Sequence, residues 1–164
     1  MISRRNLTSI HVTQSLKTAV ASAAAAYAAS LLKLPQGYWA AISAIVVMQS
    51  EVGATFTVSR NRLIGTAIGA CLGALFVPFA EGRLVWFGVT VAVTVLVCQF
   101  LGLEQSYRLA CVTVAIVMLI NPGNSPWPVA LHRFEEVALG IVIALVVTAI
   151  PVSRLQLHNP RTNV

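Results

Sequence analysis

Six apolar segments alternate with short polar stretches along the chain. In order, they cover Ile10 to Leu32, Tyr38 to Met48, Leu63 to Phe79, Leu84 to Leu101, Leu109 to Ile120 and Val137 to Val152. A membrane-spanning helix needs about 20 residues, with a usual range of about 17 to 25. Segments one and four fit this range, segments three and six fit once their polar first turns are included, and segments two and five are too short. The pattern predicts an all-α integral membrane protein whose helices 2 and 5 are short.

The charges between the segments distinguish two possible topologies. Segments two and five could be re-entrant hairpins, which leaves four spans, or short spans, which gives six. With six spans and a cytoplasmic N-terminus, 8 lysines and arginines fall inside and 3 outside; with four spans the division is 6 against 5. Because cytoplasmic loops carry an excess of these residues, we predict six transmembrane helices with both termini cytoplasmic.

Composition supports a membrane protein of one domain. Hydrophobic residues make up 57% of the 164 residues and charged residues 10%, whereas a soluble domain carries about 25% charged residues. We therefore expect a single membrane module over residues 1–164, with a core at about 10–153 and short termini. The net charge of +6 comes from basic residues scattered between apolar runs, which favours helix-end anchors over a nucleic-acid partner.

The chain also repeats itself with an offset of about 70 residues. "AIVVM" at Ala44 is echoed by "AIVM" at Ala115, and an arginine six residues before a glycine occurs in "RLIGTAIG" and again in "RFEEVALG". Each unit is a long segment, a short segment and an arginine-led segment. Three spans per unit would invert the second unit, so the sequence predicts two inverted three-helix repeats, which are typical of transporters.

Two arginines are the main candidates for binding an anion. Arg62 and Arg133 lie at the starts of segments three and six, where the positive end of each helix would assist them. Under the inverted repeat they lie on opposite sides of the membrane. Glu136 follows Arg133 by three residues and can pair with it on one helix face. The alternative for Arg62 is a simple positive-inside anchor.

Four further residues belong to the predicted anion pathway. Lys17 lies inside segment one and either snorkels to the interface or adds positive charge to the pathway. Tyr38, Trp39 and Tyr107 begin the two short segments, which should flank the pathway near the middle of the membrane. The alternative is that these aromatic residues belong to the interfacial belt.

Glycines form a second pattern, which we assign to helix packing. Gly65, Gly69 and Gly73 recur at every fourth position of segment three, and Gly140 follows Arg133 as Gly69 follows Arg62. Such stripes allow two helices to approach closely in lipid. The alternative is that the stripe leaves room for a permeating solute.

The sequence carries no sign of catalysis. We find no GxSxG, no HExxH, no phosphate-binding loop and no aspartate. We therefore expect a protein that is not an enzyme and that uses no cofactor and no metal.

The stretch "YWAAISAIVVMQSEVGATFTVSRNRLIGTAIGACLG", from Tyr38 to Gly73, resembles the membrane module of the fusaric-acid-resistance-like and aromatic acid exporter superfamily. It is also similar to the plant aluminium-activated malate transporters. A tryptophan opens a short helix, "VGAT" follows a polar step, and an arginine leads a helix that contains "GT" and further glycines. The likeness extends more weakly from Leu16 to Pro151.

The resemblance implies a six-helix module in the lipid bilayer of the bacterial inner membrane, usually as a homo-oligomer, with a dimer favoured here. It implies export or conduction of organic acid anions, aromatic acids first among them. Many relatives carry an extensive soluble domain that this sequence lacks, so action as an oligomer or with a partner is expected. A passive anion channel and a non-transporting membrane subunit remain as alternatives.

Overall fold

The structure is a computed structural model that describes residues 4–79, 84–120 and 125–150, with the side chains of residues 4–11 left aside. The described residues form a bundle of six α-helices without strands. The helices are α1 (Arg4–Leu31), α2 (Tyr38–Val47), α3 (Val52–Phe76), α4 (Leu84–Phe100), α5 (Tyr107–Ala115) and α6 (Pro126–Ala149). A 3₁₀ turn, Val77–Phe79, extends α3, and a π-helical turn, Ile116–Ile120, extends α5.

Local sequence explains the ends of α1 and α4. Two residues after each of these helices ends, the chain has a residue in the left-handed region, Lys33 at φ 53° and Gly102 at φ 67°. In each case the next amide bonds back five residues, Leu34 to the Ala29 carbonyl at 3.1 Å and Leu103 to the Cys98 carbonyl at 2.8 Å. This is the Schellman arrangement, which satisfies carbonyl groups at a helix end.

The helix count and the short second and fifth helices agree with the sequence, but the starts of α3 and α6 do not. The prediction began these helices near the arginines, at Leu63 and Val137, whereas α3 begins at Val52 and α6 at Pro126. The polar stretch "VGATFTVSRNR" lies before the predicted apolar segment, yet all of it is helical. Proline at the first position of α6 lacks the N–H that would stay unpaired there, so it starts the helix.

Length and hydropathy single out part of the bundle as membrane-compatible. Within the described residues, the helical run Val52–Phe79 is long and apolar enough to cross a bilayer, and Tyr38–Val47, Leu84–Phe100 and Tyr107–Ile120 are shorter apolar helices. The six spans and the inverted arrangement therefore remain predictions.

The core is built where α3 and α6 meet the two short helices. The most extensive contacts are those of α3 with α5 and α6, and of α2 with α1 and α6. A methyl group on Gly69 would overlap the Ala110 carbonyl of α5, and one on Gly140 would overlap the Ala40 carbonyl of α2. The two contacts are related by the repeat offset, and each requires glycine because backbone meets backbone.

The other two glycines of the stripe face the same neighbour. A methyl group on Gly65 would lie 2.6 Å from the Ser106 carbonyl oxygen, and one on Gly73 would lie 3.1 Å from Cβ of Val117. The whole stripe is therefore covered by α5 and its π-helical extension, which places these glycines in helix packing.

Candidate functional site

Arg133 of α6 lies at the centre of a buried polar network. Its Nη2 donates to Oε1 of Gln36 at 2.6 Å, and its Nη1 lies 3.2 Å from Oε2 of Glu136. The indole of Trp39 covers the guanidinium, with 4.2 Å from Cζ to the ring centroid. Arg133 and Glu136 are only 3% and 1% exposed, so water contributes little to their solvation.

Gln36, in the turn before α2, joins both members of this ion pair. Its backbone N–H donates to Oε1 of Glu136 at 2.9 Å, while its side-chain oxygen accepts from Arg133. The same oxygen accepts from the Tyr38 hydroxyl at 3.3 Å. The turn before α2 and helix α6, which are far apart in the sequence, are thereby linked through one buried carboxylate and one buried guanidinium.

Arg62 of α3 has a much poorer set of partners. It is 7% exposed, and its Nη2 donates to the Ser43 hydroxyl of α2 at 3.1 Å. Among the described residues, no carboxylate lies within ion-pair distance of it. A buried cation without an anionic partner is costly, and Arg62 is such a cation.

The sequence predicted that the two arginines lie at helix starts, and this is wrong; their position on opposite sides of the membrane stays a prediction. Arg62 is ten residues beyond the start of α3 and Arg133 seven residues beyond the start of α6. Since the helix dipole acts mainly within the first turn, it gives these side chains little help. Instead, the longer helices carry both arginines into the bundle, where they line one cavity.

This inner cavity lies between α2, α3, α5 and α6 and has a volume of about 20 Å³. It is lined by Trp39, Arg62, Thr66, Leu109, Val112, Thr113, Ile116, Arg133 and Val137. The lining includes both arginines and no acidic residue. Its volume is about that of one water molecule, and Ile116 begins the π-helical turn, a feature frequent at functional sites.

Three donors at the inner cavity have no hydrogen-bond partner within the described chain. They are Nε of Arg62, Nε of Arg133 and Nε1 of Trp39, and Nη1 of Arg133, which lies at ion-pair distance from Glu136, is a fourth donor without a hydrogen bond. Buried polar groups are normally paired, and all three of these groups can only donate. Donors without acceptors around a positively charged cavity are suited to an anion.

A second, larger pocket lies on the other side of Arg133. This outer pocket has a volume of about 380 Å³ and is lined by Pro35, Gln36, Ser125, Pro128, Val129, His132, Arg133 and Glu136. Among the described residues, Arg133 is the one residue that lines both spaces. Arg133 therefore lies at the boundary of both the outer pocket and the inner cavity.

The structure does not bring every predicted pathway residue to the arginines. Lys17 lies at the opposite end of α6, where its Nζ donates to the Ile150 carbonyl at 2.9 Å. Tyr107 is paired with the exposed Arg108, whose Nε donates to the phenolic oxygen at 3.2 Å. Tyr38 is 53% exposed and reaches the network only through Gln36.

Sequence reasoning missed Gln36 and Ser43, the direct partners of the two arginines. A signal for Gln36 was present, because "LKLPQGY" before α2 is repeated as "LGLEQSY" before α5, with glutamine and tyrosine at matching positions. Ser43 had no such signal, since a serine in an alanine-rich helix is ordinary.

Comparison with known proteins gives the family. A family model described as fusaric acid resistance protein-like matches residues 23–147. The chain is 30% identical over 111 residues to inner membrane protein YccS of Escherichia coli (strain K12), an alignment that covers 66% of this chain and 15% of YccS. It is 26% identical over 137 residues to the uncharacterized transporter YdhK of the same strain, covering 77% of this chain and 20% of YdhK.

The chain thus spans a fifth or less of the length of these curated relatives. No solved structure matches it. The family model nevertheless covers well over half of the chain and includes the stretch from Tyr38 to Gly73 on which the resemblance was based. The chain therefore belongs to the fusaric acid resistance protein-like family.

Proposed function

We propose that the protein is a multi-pass membrane transport protein that exports or conducts organic acid anions, with aromatic acids as the first class to test. The names of its relatives, an inner membrane protein and a transporter, support a role in the bacterial inner membrane. The chemistry of the two cavities supports an anionic substrate.

The distribution of side chains supports immersion in lipid. Large apolar side chains such as Leu16, Phe56 and Leu84 are 64%, 60% and 75% exposed, while two arginines and a glutamate are buried. Charged groups in membrane segments usually face the protein interior and mark substrate pathways. The proposal therefore places the bundle surface against acyl chains and the arginines on the pathway.

The proposed arrangement is six spans in two inverted repeats, with both termini cytoplasmic. The matched contacts of Gly69 with Ala110 and Gly140 with Ala40 support an internal pseudo-symmetry. At about 1.5 Å per residue, the ten residues of α2 span about half of a 30 Å hydrocarbon core. Short helices at matching positions of two repeats are where transporters place their substrate sites.

The observation that carries the proposal is the excess positive charge around the inner cavity. Two buried guanidinium groups line it, and one of them is paired with Glu136. Among the described residues, the other has no carboxylate partner, and four donors of the lining residues have no hydrogen-bond partner. An entering carboxylate would supply the missing charge and the missing acceptors. In the present conformation the cavity is too small for an organic acid, so passage requires the helices around Arg133 to move.

Anion flux in proteoliposomes tests this proposal. Uptake of radiolabelled benzoate is measured under a proton gradient, under a membrane potential and under neither. We expect Arg62→Gln to lower flux by at least about tenfold, because it removes a desolvated charge. Arg108→Gln is the matched control, since Arg108 is exposed, and it should retain wild-type flux. If Arg62→Gln and Arg133→Gln both keep wild-type flux, the proposal that these arginines form the anion site is wrong.

The same experiment separates the alternatives. Flux that needs a proton gradient supports an exporter, whereas current that follows the membrane potential alone supports a passive anion channel. A reconstituted protein that moves no anion under any gradient would instead support a non-transporting subunit. The proposed homo-oligomer, a dimer in its simplest form, is checked by the mass of the purified protein in detergent.

A further inference from the structure

The outer pocket and the inner cavity differ in the charge that Arg133 meets on each side. Glu136 lines the outer pocket and is absent from the lining of the inner cavity. Its Oε1 accepts a hydrogen bond from the Gln36 amide at 2.9 Å, and its Oε2 forms an ion pair with Nη1 of Arg133 at 3.2 Å without a hydrogen bond. An anion that arrives in the outer pocket therefore meets an arginine that already holds a carboxylate.

The donors that hold Glu136 are the donors that a substrate carboxylate would need. The guanidinium of Arg133 and the N–H of Gln36 form a two-point cradle for one carboxylate group, and Glu136 fills it. Two carboxylates cannot occupy these donors together, because like charges in a buried site repel strongly. A ligand can use the cradle only when Glu136 leaves it.

The remaining lining indicates which ligands would fit. The volume of about 380 Å³ lies in the range of small-molecule pockets, roughly 300 to 1,000 Å³. Pro35, Pro128 and Val129 supply apolar surface beside the cradle. A monocarboxylate with an apolar body matches this combination of one cationic point and an apolar wall.

We infer that the outer pocket binds a monocarboxylic acid at Arg133, and that Glu136 is a tethered competitor which must vacate Arg133 for binding to occur. This inference rests on the proposed function. It defines the site at which the anion enters and the residue that sets the affinity of that site for the anion. Glu136 acts through Arg133, so it is a positioning residue and does not itself need to contact the ligand.

Competition by a tethered group has a calculable consequence. The apparent Kd of a ligand equals its intrinsic Kd divided by the fraction of molecules whose site is free. If Arg133 is free of Glu136 in about a tenth of the molecules, removing the competitor tightens binding about tenfold. The effect is a gain of affinity, which damage to the fold would not produce.

Equilibrium binding of radiolabelled benzoate to the purified chain in detergent tests the inference. We expect Glu136→Gln to tighten benzoate binding about tenfold, because the amide keeps an acceptor for the Gln36 N–H but carries no charge for Arg133. The matched control is Glu135→Gln, which removes the same charge from the exposed neighbouring residue and should leave binding unchanged. Benzamide, which lacks the charge, should not compete.

A second variant separates competition from general electrostatics. Glu136→Asp keeps the negative charge but shortens the side chain by one methylene, so its contact with Arg133 weakens. We expect it to tighten benzoate binding as well, by less than Glu136→Gln does. Glu136→Asp also gives an independent test if the glutamine variant does not fold.

Three results would overturn the inference. They are wild-type or weaker benzoate binding by Glu136→Gln and Glu136→Asp, equal tightening by Glu135→Gln, and full retention of binding by Arg133→Gln. The flux measurements test the proposed function independently of these binding measurements. If arginine variants lose flux while Glu136→Gln binds benzoate as the wild type does, the transport proposal stands and the competitor role is rejected.

Discussion

The contact of α6 with α2 and the contact of α3 with α5 have the same backbone packing but different polar groups beside them. Both depend on a glycine beneath an alanine carbonyl, Gly140 under Ala40 and Gly69 under Ala110. Beside the first contact, Arg133 is held by a carboxylate, an amide and an aromatic ring. Beside the second, the corresponding arginine has one hydroxyl partner. The two contacts therefore share their packing and differ in the polar groups beside them.

Two substitutions between the halves account for this difference. The position that Glu136 occupies on α6 is Gly65 on α3, at the same offset of 71 that relates the arginines. The residue before the contact alanine is Trp39 on α2 and Leu109 on α5. One arginine is therefore neutralised and covered, and the other is left charged beside the inner cavity. The candidate site therefore has one paired and one unpaired arginine and is asymmetric.

The largest expected difference between the halves lies in the loss of each arginine. Arg133→Met should destabilise the protein by about 3–5 kcal/mol, because it leaves Glu136 as an unpaired buried charge. Arg62→Met should cost less than about 1 kcal/mol or stabilise the protein, because it removes a buried charge that has no anionic partner. Unfolding of the purified protein by SDS in mixed micelles measures both. Equal losses for the two variants would contradict the asymmetry.

The packing glycines should respond equally in the two halves. Gly69→Ala and Gly140→Ala should each destabilise the protein by about 1–3 kcal/mol, because the added methyl overlaps a carbonyl group that cannot move without shifting a helix. Gly88→Ala is the control, since nothing lies within 4 Å of a methyl group there; it should be neutral or stabilising. A large loss at only one of the two contacts would mean that the packing is not symmetric.

Replacing Trp39 by its counterpart tests what covers Arg133. Trp39→Leu should destabilise the protein by about 1–2 kcal/mol, through loss of a cation–π contact in a desolvated site. Trp127→Leu, at an indole that is 57% exposed, is the matched control. Thermal unfolding followed by circular dichroism compares the two, and equal shifts would show that the contact with Arg133 contributes nothing.

The smallest expected effect on stability concerns the C-terminal ends of α3 and α6. α3 continues into a 3₁₀ turn, whereas the end of α6 is bound by Lys17 through the Ile150 carbonyl. Lys17→Met should destabilise by about 0.5–1 kcal/mol through loss of this charged contact. Lys33→Met, at an exposed turn, should have no effect. If Lys17→Met also lowers anion flux selectively, the lysine belongs to the pathway after all.

Sequence reasoning succeeded where the signal was local. Hydrophobic segment lengths gave six helices with short α2 and α5, and four-residue spacing placed Gly65, Gly69 and Gly73 on one face. It failed at the starts of α3 and α6, because hydropathy treats a polar turn as the end of a helix even when hydrogen bonding continues through it. That error placed the arginines at helix ends and hid their common cavity.

About half of the candidate site could be predicted from the sequence. Arg62 and Arg133 were singled out by their place at the starts of two apolar segments, and the pair of Arg133 with Glu136 by its three-residue spacing on one helix. Gln36 lies 97 residues from Arg133, and Ser43 lies 19 residues from Arg62. No periodicity within a helix links residues so far apart, because these contacts depend on which helices become neighbours.

The sequence by itself determined the number of helices, the shortness of α2 and α5, the family and the glycine positions, because each of these depends on composition and spacing over a few turns. Only the tertiary structure decided where α3 and α6 begin, that both arginines line one cavity, that Glu136 pairs with one of them, and that the other has no carboxylate partner among the described residues. The physical reason is that the charge balance of a buried site is summed over side chains from four helices, and their meeting is set by close packing at Gly69 and Gly140.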